Sequence, residues 1–191
     1  MNTDHLKRYA PQARKDFIAA ITRQAARYGI TAQEVAPAER AGDVVLINGT
    51  PYPAAIAASR TALVSSIEQQ GFSQTMEQAA YSWFNRLCAI RYMELHGYLD
   101  HGRRVLSHPE RDSGFQILDD CLDIDLPGLD KNKVRELKLN GTQDEALYRE
   151  LLLAQCHALH QAMPFLFEPV DDATELLLPD NLTKTDSLIQ A

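Results

Sequence analysis

Cys156, His157 and His160 lie close together in the chain, and the two histidines are three residues apart. On a helix that spacing puts both imidazoles on one face, where they could offer two nitrogens to a metal. A zinc site would still need one or two further ligands, and Cys156 points more nearly toward the core side. Structural histidines are therefore the plainer reading. His96, His101 and His108 surround a polar stretch with no evident nucleophile for a catalytic imidazole to activate. Asp119, Asp120, Asp123, Asp125 and Asp130 form an acidic cluster. They lack the glycine and terminal glutamate of a calcium loop, which leaves a solvated acidic face or a patch for a basic partner. No two of the nine glycines are closer than five residues, and neither GxGxxG nor a P-loop occurs. Backbone cradling of a phosphate is not supplied in that form.

The segment AYSWFNRLCAIRYMELHGYL, residues 80–99, is dense in aromatic residues and carries Arg86 and Arg91. Stacking on nucleic-acid bases needs exposed rings beside a positive groove. Tyr81, Phe84, Cys88, Tyr92 and Leu95 recur at helical spacing, while Trp83, Ile90 and Met93 cover more of the circumference. A helix apolar nearly all round belongs in a core. The segment is expected to be a core helix, with Arg86 and Arg91 pairing with acids or capping carbonyls.

Charge is unevenly distributed. The 191 residues carry a net −7, yet residues 1–29 hold Lys7, Arg8, Arg14, Lys15, Arg23 and Arg27 against Asp4 and Asp16, a local +4 that leaves −11 for the rest. An acidic body argues against nucleic-acid binding over the whole surface. The basic first segment leaves room for local contact with a phosphate backbone through those six residues. A solvated polar face over a buried one is the bland alternative.

The elements that would position these groups follow from spacing. A first helix is expected from Pro11 to Gly29, with Phe17, Ile18, Ile21, Ala25 and Tyr28 on its inner stripe and Lys15, Arg23 and Arg27 opposite. AGDVVLING ends in a hairpin signal, and the two prolines of TPYP admit only an edge strand. Pro53 opens a second helix, closed by Gly71, with Ile56, Leu63, Val64 and Ile67 facing inward. A third begins near Ser73–Thr75, where Thr75 and Gln78 have capping-box spacing, and ends at Gly97. Residues 98–114 read as a loop. A short helix and an acidic turn follow, then KVRELKLNG and a strongly amphipathic helix ended by Pro164, with Leu147, Leu151, Leu152, Leu159 and Met163 on its apolar face. FLFEPVDDATELLLPDNL reads as extended, surface-packed chain. Thr185 or Asp186 would cap a final helix that is only just begun, as if cut from something longer.

The fold class is therefore mainly α: an irregular helical domain of about five helices with a small β-hairpin near residues 43–53. Residues 1–178 form the helical domain and 179–191 the start of a connection. Three scattered cysteines without a CxxC fit a reducing compartment. With no apolar run long enough to span a bilayer and no signal-peptide pattern, a cytoplasmic location away from membranes is expected.

KRYAPQARKDFI, LINGTPYP, QAAYSWFNRLCAIRYMELHGYL and LLLPDNLTKTDSLI, taken in order, resemble the N-terminal region of the PglX family, the large adenine-specific DNA methyltransferases of BREX phage-defence systems. The AYSWFNR–RYMELHGYL block is the most specific part. The resemblance implies a bacterial cytoplasmic protein whose parent methylates adenine in DNA with S-adenosylmethionine. It also implies a helical region ahead of the catalytic core. The family's Asn-Pro-Pro-Tyr motif and glycine-bearing cofactor loop are absent, since no two prolines are adjacent. No catalytic, cofactor-binding or metal residue is carried over, and the segment by itself is expected to be neither an enzyme nor a cofactor binder. Its expected partners are the rest of the methyltransferase chain, the duplex DNA backbone and other BREX proteins. A self-standing acidic adaptor for a basic partner is the competing reading.

Overall fold

In the computed structural model the described residues are 3–164, 167, 172–184, 187 and 189, with 3–8 and 172 described by backbone alone. Their regular structure is seven helices and one three-stranded antiparallel sheet. This is the mainly α class expected, with two of the helices only four and five residues long. The chain divides into two compact units, Met1–Phe84 with Asp171–Pro179, and Asn85–Val170 with Asp180–Ala191.

In the first unit, α1 (Thr3–Arg27) starts well before Pro11. A proline inside a helix forfeits one backbone bond, and α1 accommodates it in a turn where Ala10, Pro11 and Gln12 are all exposed. Ala13, Phe17, Ala20, Ile21 and Ala25 form the buried stripe, with Ile18 and Tyr28 half-buried beside it. The chain leaves α1 at Gly29, whose φ is +69°. A Cβ there would lie 2.7 Å from Ile47 Cγ2 and 2.8 Å from the Cβ of Ala36. Both the left-handed backbone and the close approach require glycine at this position.

The sheet runs β1 (Ala38–Ala41), β2 (Val44–Ile47), β3 (Thr50–Pro53), in that order. Val44 pairs with Pro53 and Ile47 with Thr50, joined by Asn48 and Gly49, both at positive φ. The proline-bearing strand is at an edge, where missing N–H donors cost least. The sheet has one strand more than the hairpin expected from sequence. AERA carries no β-branched or aromatic residue and is exposed throughout, so it gives no strand signal; Gly42 and Asp43 turn it back onto β2.

Of the inward face expected for α2 (Ile56–Gln70), Leu63 alone is fully buried; Ile56, Val64 and Ile67 are half-buried. The other buried residue is Arg60, whose guanidinium donates to the carbonyls of Tyr28, at 2.9 Å, and Ala36. It therefore ties α2 to the chain following α1. α3 (Phe72–His96) begins at Phe72, so Thr75 is inside it. The Thr75 hydroxyl donates back to the Gly71 carbonyl at 2.9 Å and does not form the expected capping box. The tail expected to be extended instead forms α7 (Asp172–Leu176), with Leu176, Leu177 and Leu178 buried. Trp83 donates its indole N–H to the Thr174 carbonyl at 3.0 Å.

α3 runs on into the second unit, joined there by α4 (Gln116–Asp119), α5 (Lys131–Asn140) and α6 (Asp144–Ala162). Asp130 caps α5 by accepting from the N–H groups of Asn132 and Lys133. Leu147, Tyr148, Leu151, Leu152, Cys156 and Leu159 of α6 are buried, as the heptad-like leucine spacing required, while Met163 is half-buried. Phe115 stacks on Tyr148 with ring centroids 4.1 Å apart.

Residues 98–114 hold no helix or strand, as expected, but the middle of this loop is firmly tied. The Glu94 side chain has no solvent exposure. It accepts from the N–H groups of Val105 and Leu106, both at 2.7 Å, and from the Ser107 hydroxyl at 2.9 Å. Arg91 completes the set at 2.5 Å. Further along, Glu145 holds the N–H groups of Leu182 and Thr183 at 2.5 and 3.0 Å. The helix start expected at Thr185 or Asp186 lies outside the described residues.

Candidate nucleic-acid interface

The six basic residues singled out from sequence all lie on α1. At 1.5 Å per residue they extend over about 30 Å of helix, and at roughly 100° per residue Lys15, Arg23 and Arg27 turn away from the Phe17–Ile21 stripe, while Arg14 falls on the stripe's own side. Arg14, Lys15, Arg23 and Arg27 are exposed; the side chains of Lys7 and Arg8 lie outside the description. Arg14 pairs with Glu77 at 2.8 Å while its side chain remains 69% exposed. Such a solvent-exposed pair is weak, so an incoming anion can compete for the guanidinium. Asp16 is occupied locally, accepting from the Gln12 amide at 2.9 Å. The arrangement suits delocalised contact with phosphates. It lacks the convergent, buried donors that would fix one base.

The remaining chemical candidates take structural places. His101 bonds through Nε2 to Gln155 at 2.6 Å and accepts at Nδ1 from the Arg103 N–H. His160 donates from Nδ1 to the Phe167 carbonyl at 2.6 Å, and His157 is exposed. His108 lies 3.6 Å from Asp119. Asp119, Asp120 and Asp125 pair with Arg111, Arg103 and Lys131 respectively. Among the described residues no cluster of three metal-ligating side chains exists. Burial raises the thiol pKa values of Cys121 and Cys156, that of Cys156 up to about 12, and partial desolvation raises that of the surface thiol Cys88, which keeps these groups protonated and poorly nucleophilic near neutrality.

The reading of residues 80–99 as a helix buried nearly all round is corrected. Trp83, Arg86, Leu87, Ile90 and Glu94 form the buried side. Tyr81, Cys88, Tyr92 and Leu95, assigned to the core from their spacing, are exposed, and Phe84 is half-buried. Tyr92 packs on His96 with centroids 4.2 Å apart, and Tyr98 stacks on His96 at 5.6 Å. Arg91 does pair with an acid, Glu94, as expected. The residues that sequence reasoning missed are Arg60, Glu94 and Glu145. Their backbone partners lie between eleven and thirty-eight residues away, so no local pattern announces those bonds.

A mainly α segment whose first helix carries exposed basic residues is the class defined by these features. No protein-family model matches the chain. Over its whole length it is 54% identical to part of "Adenine-specific methyltransferase BrxX" of Escherichia coli O9:H4 (strain HS), across 197 aligned residues. It is also 32% identical, over 93% of its length, to part of "Adenine-specific methyltransferase PglX" of Lacticaseibacillus casei (strain Zhang). The chain is thus similar, over all or nearly all of its length, to a segment of each of these two adenine-specific methyltransferases, and it spans 16% of the length of each. No helix among the described residues is long and apolar enough to cross a membrane.

Proposed function

We propose that this chain serves as the non-catalytic N-terminal helical scaffold of a PglX-like adenine-specific DNA methyltransferase in BREX phage defence. In this reading α1 lies against the DNA backbone. Other surfaces dock the remainder of the methyltransferase and other BREX proteins in the bacterial cytoplasm. S-adenosylmethionine and the target adenine are handled by the catalytic core. The observation that carries the reading is the 54% identity over the full chain to a methyltransferase six times its length. The exposure of Arg14, Lys15, Arg23 and Arg27 on α1 supports the DNA contact.

Phosphate contact makes affinity fall with salt, with a log–log slope of about −5 if all six cations engage a duplex. The test is binding of purified chain to unrelated duplexes at low and moderate salt. Comparable affinity for all sequences, lost as salt rises, supports the reading. Absence of binding at low salt removes the DNA contact. Methylation of adenine by the purified 191 residues with added methyl donor would overturn the non-catalytic role.

The adaptor alternative draws on the second unit, which carries eleven basic against sixteen acidic residues and exposes Tyr92, Leu95 and Tyr98. It predicts capture of a basic protein with no affinity for DNA.

A further inference from the structure

Within the first unit, α1, the end of α2 and the start of α3 enclose an open groove of about 720 Å³. That volume lies in the range of small-molecule sites. Its floor is aromatic: Phe17 and Phe84 meet edge to face with centroids 5.4 Å apart, and Tyr81 stands exposed among the lining residues. Its polar residues are amides, a guanidinium and the carboxylate of Glu77. Gln74 and Gln78 are exposed and contribute amides, each able to donate and accept side by side. Arg14 contributes a guanidinium, held in the groove by Glu77 at 2.8 Å.

This combination matches a particular ligand chemistry. A flat heteroaromatic ring stacks on Tyr or Phe. A glutamine amide is complementary to the donor–acceptor edge of adenine. The planar fork of arginine suits phosphate. An apolar peptide segment would use the floor but would leave the Gln74 and Gln78 amides without matched partners, a costly outcome for groups that binding desolvates.

We propose that the groove binds a purine nucleotide, with the base against Tyr81 and Phe84, its edge on the Gln74 or Gln78 amide, and the phosphate on Arg14. The nucleotide is either a free mononucleotide or an unstacked nucleotide of a single strand. The proposal does not depend on duplex contact by α1, because mononucleotide binding and duplex binding can each fail alone.

The test is calorimetric titration of the purified chain with AMP, adenosine, CMP and a short oligo-dA. Saturable binding of AMP, tighter than CMP, is expected. Arg14→Ala should weaken AMP about tenfold, the size of a lost charge-assisted bond, and leave adenosine nearly unchanged. Tyr81→Ala should weaken both. Glu77→Gln should tighten AMP, since the carboxylate no longer competes for Arg14. All three side chains are exposed, and circular dichroism checks that the variants are folded. Oligo-dA binding tighter than AMP identifies a strand as the source, and the reverse identifies the free nucleotide. The proposal is overturned if AMP, adenosine and oligo-dA show no saturable binding at millimolar concentration. It is equally overturned if Arg14→Ala and Tyr81→Ala leave binding as it was.

Discussion

The two units use charged side chains in opposite ways. In the second, carboxylates are turned inward onto backbone: Glu94 carries the loop at Val105–Ser107, and Glu145 carries Leu182–Thr183. In the first, Arg14, Lys15, Arg23 and Arg27 of α1 face solvent, and the buried charge among the described residues is a cation, Arg60, bonded to carbonyls. A charge satisfied inside by several backbone groups is structural, since removing it orphans them. A charge left at the surface contributes little to stability and remains available to a ligand. The division implies that substitutions in the second unit should register as stability, and those on α1 as binding.

Glu94→Ala should have the largest effect. It strands the buried N–H of Val105 and frees its neighbours, for an expected loss of about 3 kcal/mol or more in urea unfolding. It should also make residues 98–114 susceptible to proteolysis. A loss below about 1 kcal/mol would mean the loop is held by other contacts.

Alkaline stability comes next. The Cys156 thiol has a pKa raised by burial to about 12, so the folded state keeps a proton that the unfolded chain releases near pH 9. Stability conferred by this group is full below pH 9 and falls as pH rises toward 12. The decline is about 1.4 kcal/mol per pH unit for one proton. Tyr148, also raised by burial, steepens it at the upper end. Cys156→Ala should flatten the profile between pH 9 and 10, measured by thermal unfolding.

Glu145→Gln should cost less, about 1–2 kcal/mol, because one oxygen remains to accept. The smallest stability effect per site belongs to Arg14, Lys15, Arg23 and Arg27 replaced together by alanine, within about 0.5 kcal/mol each. A large destabilisation in that variant would erase the contrast between the units.

How far the sequence disclosed this architecture depended on whether partners lay nearby in the chain. The inner stripe of α1, the edge position of TPYP and the leucine face of α6 were legible, because period and proline chemistry are local. α3 was misread for a specific reason. Tyr81, Cys88, Tyr92 and Leu95 recur at helical period, but so do Trp83, Leu87, Ile90 and Glu94. Periodicity alone cannot choose between two such stripes, and the glutamate made the truly buried one look polar. What settles it is the set of donors at 105–107, two backbone N–H groups and the Ser107 hydroxyl, met only once the loop folds back. Similarly, AERA becomes a strand because β2 lies beside it, and TELLL turns inward because α2 and Trp83 are there to cover it. For the candidate site, the six basic residues were visible as a charge excess. The groove was not, since its lining comes from three helices.

In the proposed function α1 contacts the DNA backbone on a scaffold stabilised elsewhere. The most direct measurement is the salt dependence of duplex binding by the native chain beside the variant lacking Arg14, Lys15, Arg23 and Arg27. The account predicts that the log–log slope shrinks by about one unit for each engaged cation removed, equally for unrelated sequences, in a protein that unfolds as the native chain does. An unchanged slope and affinity in a folded variant would contradict it.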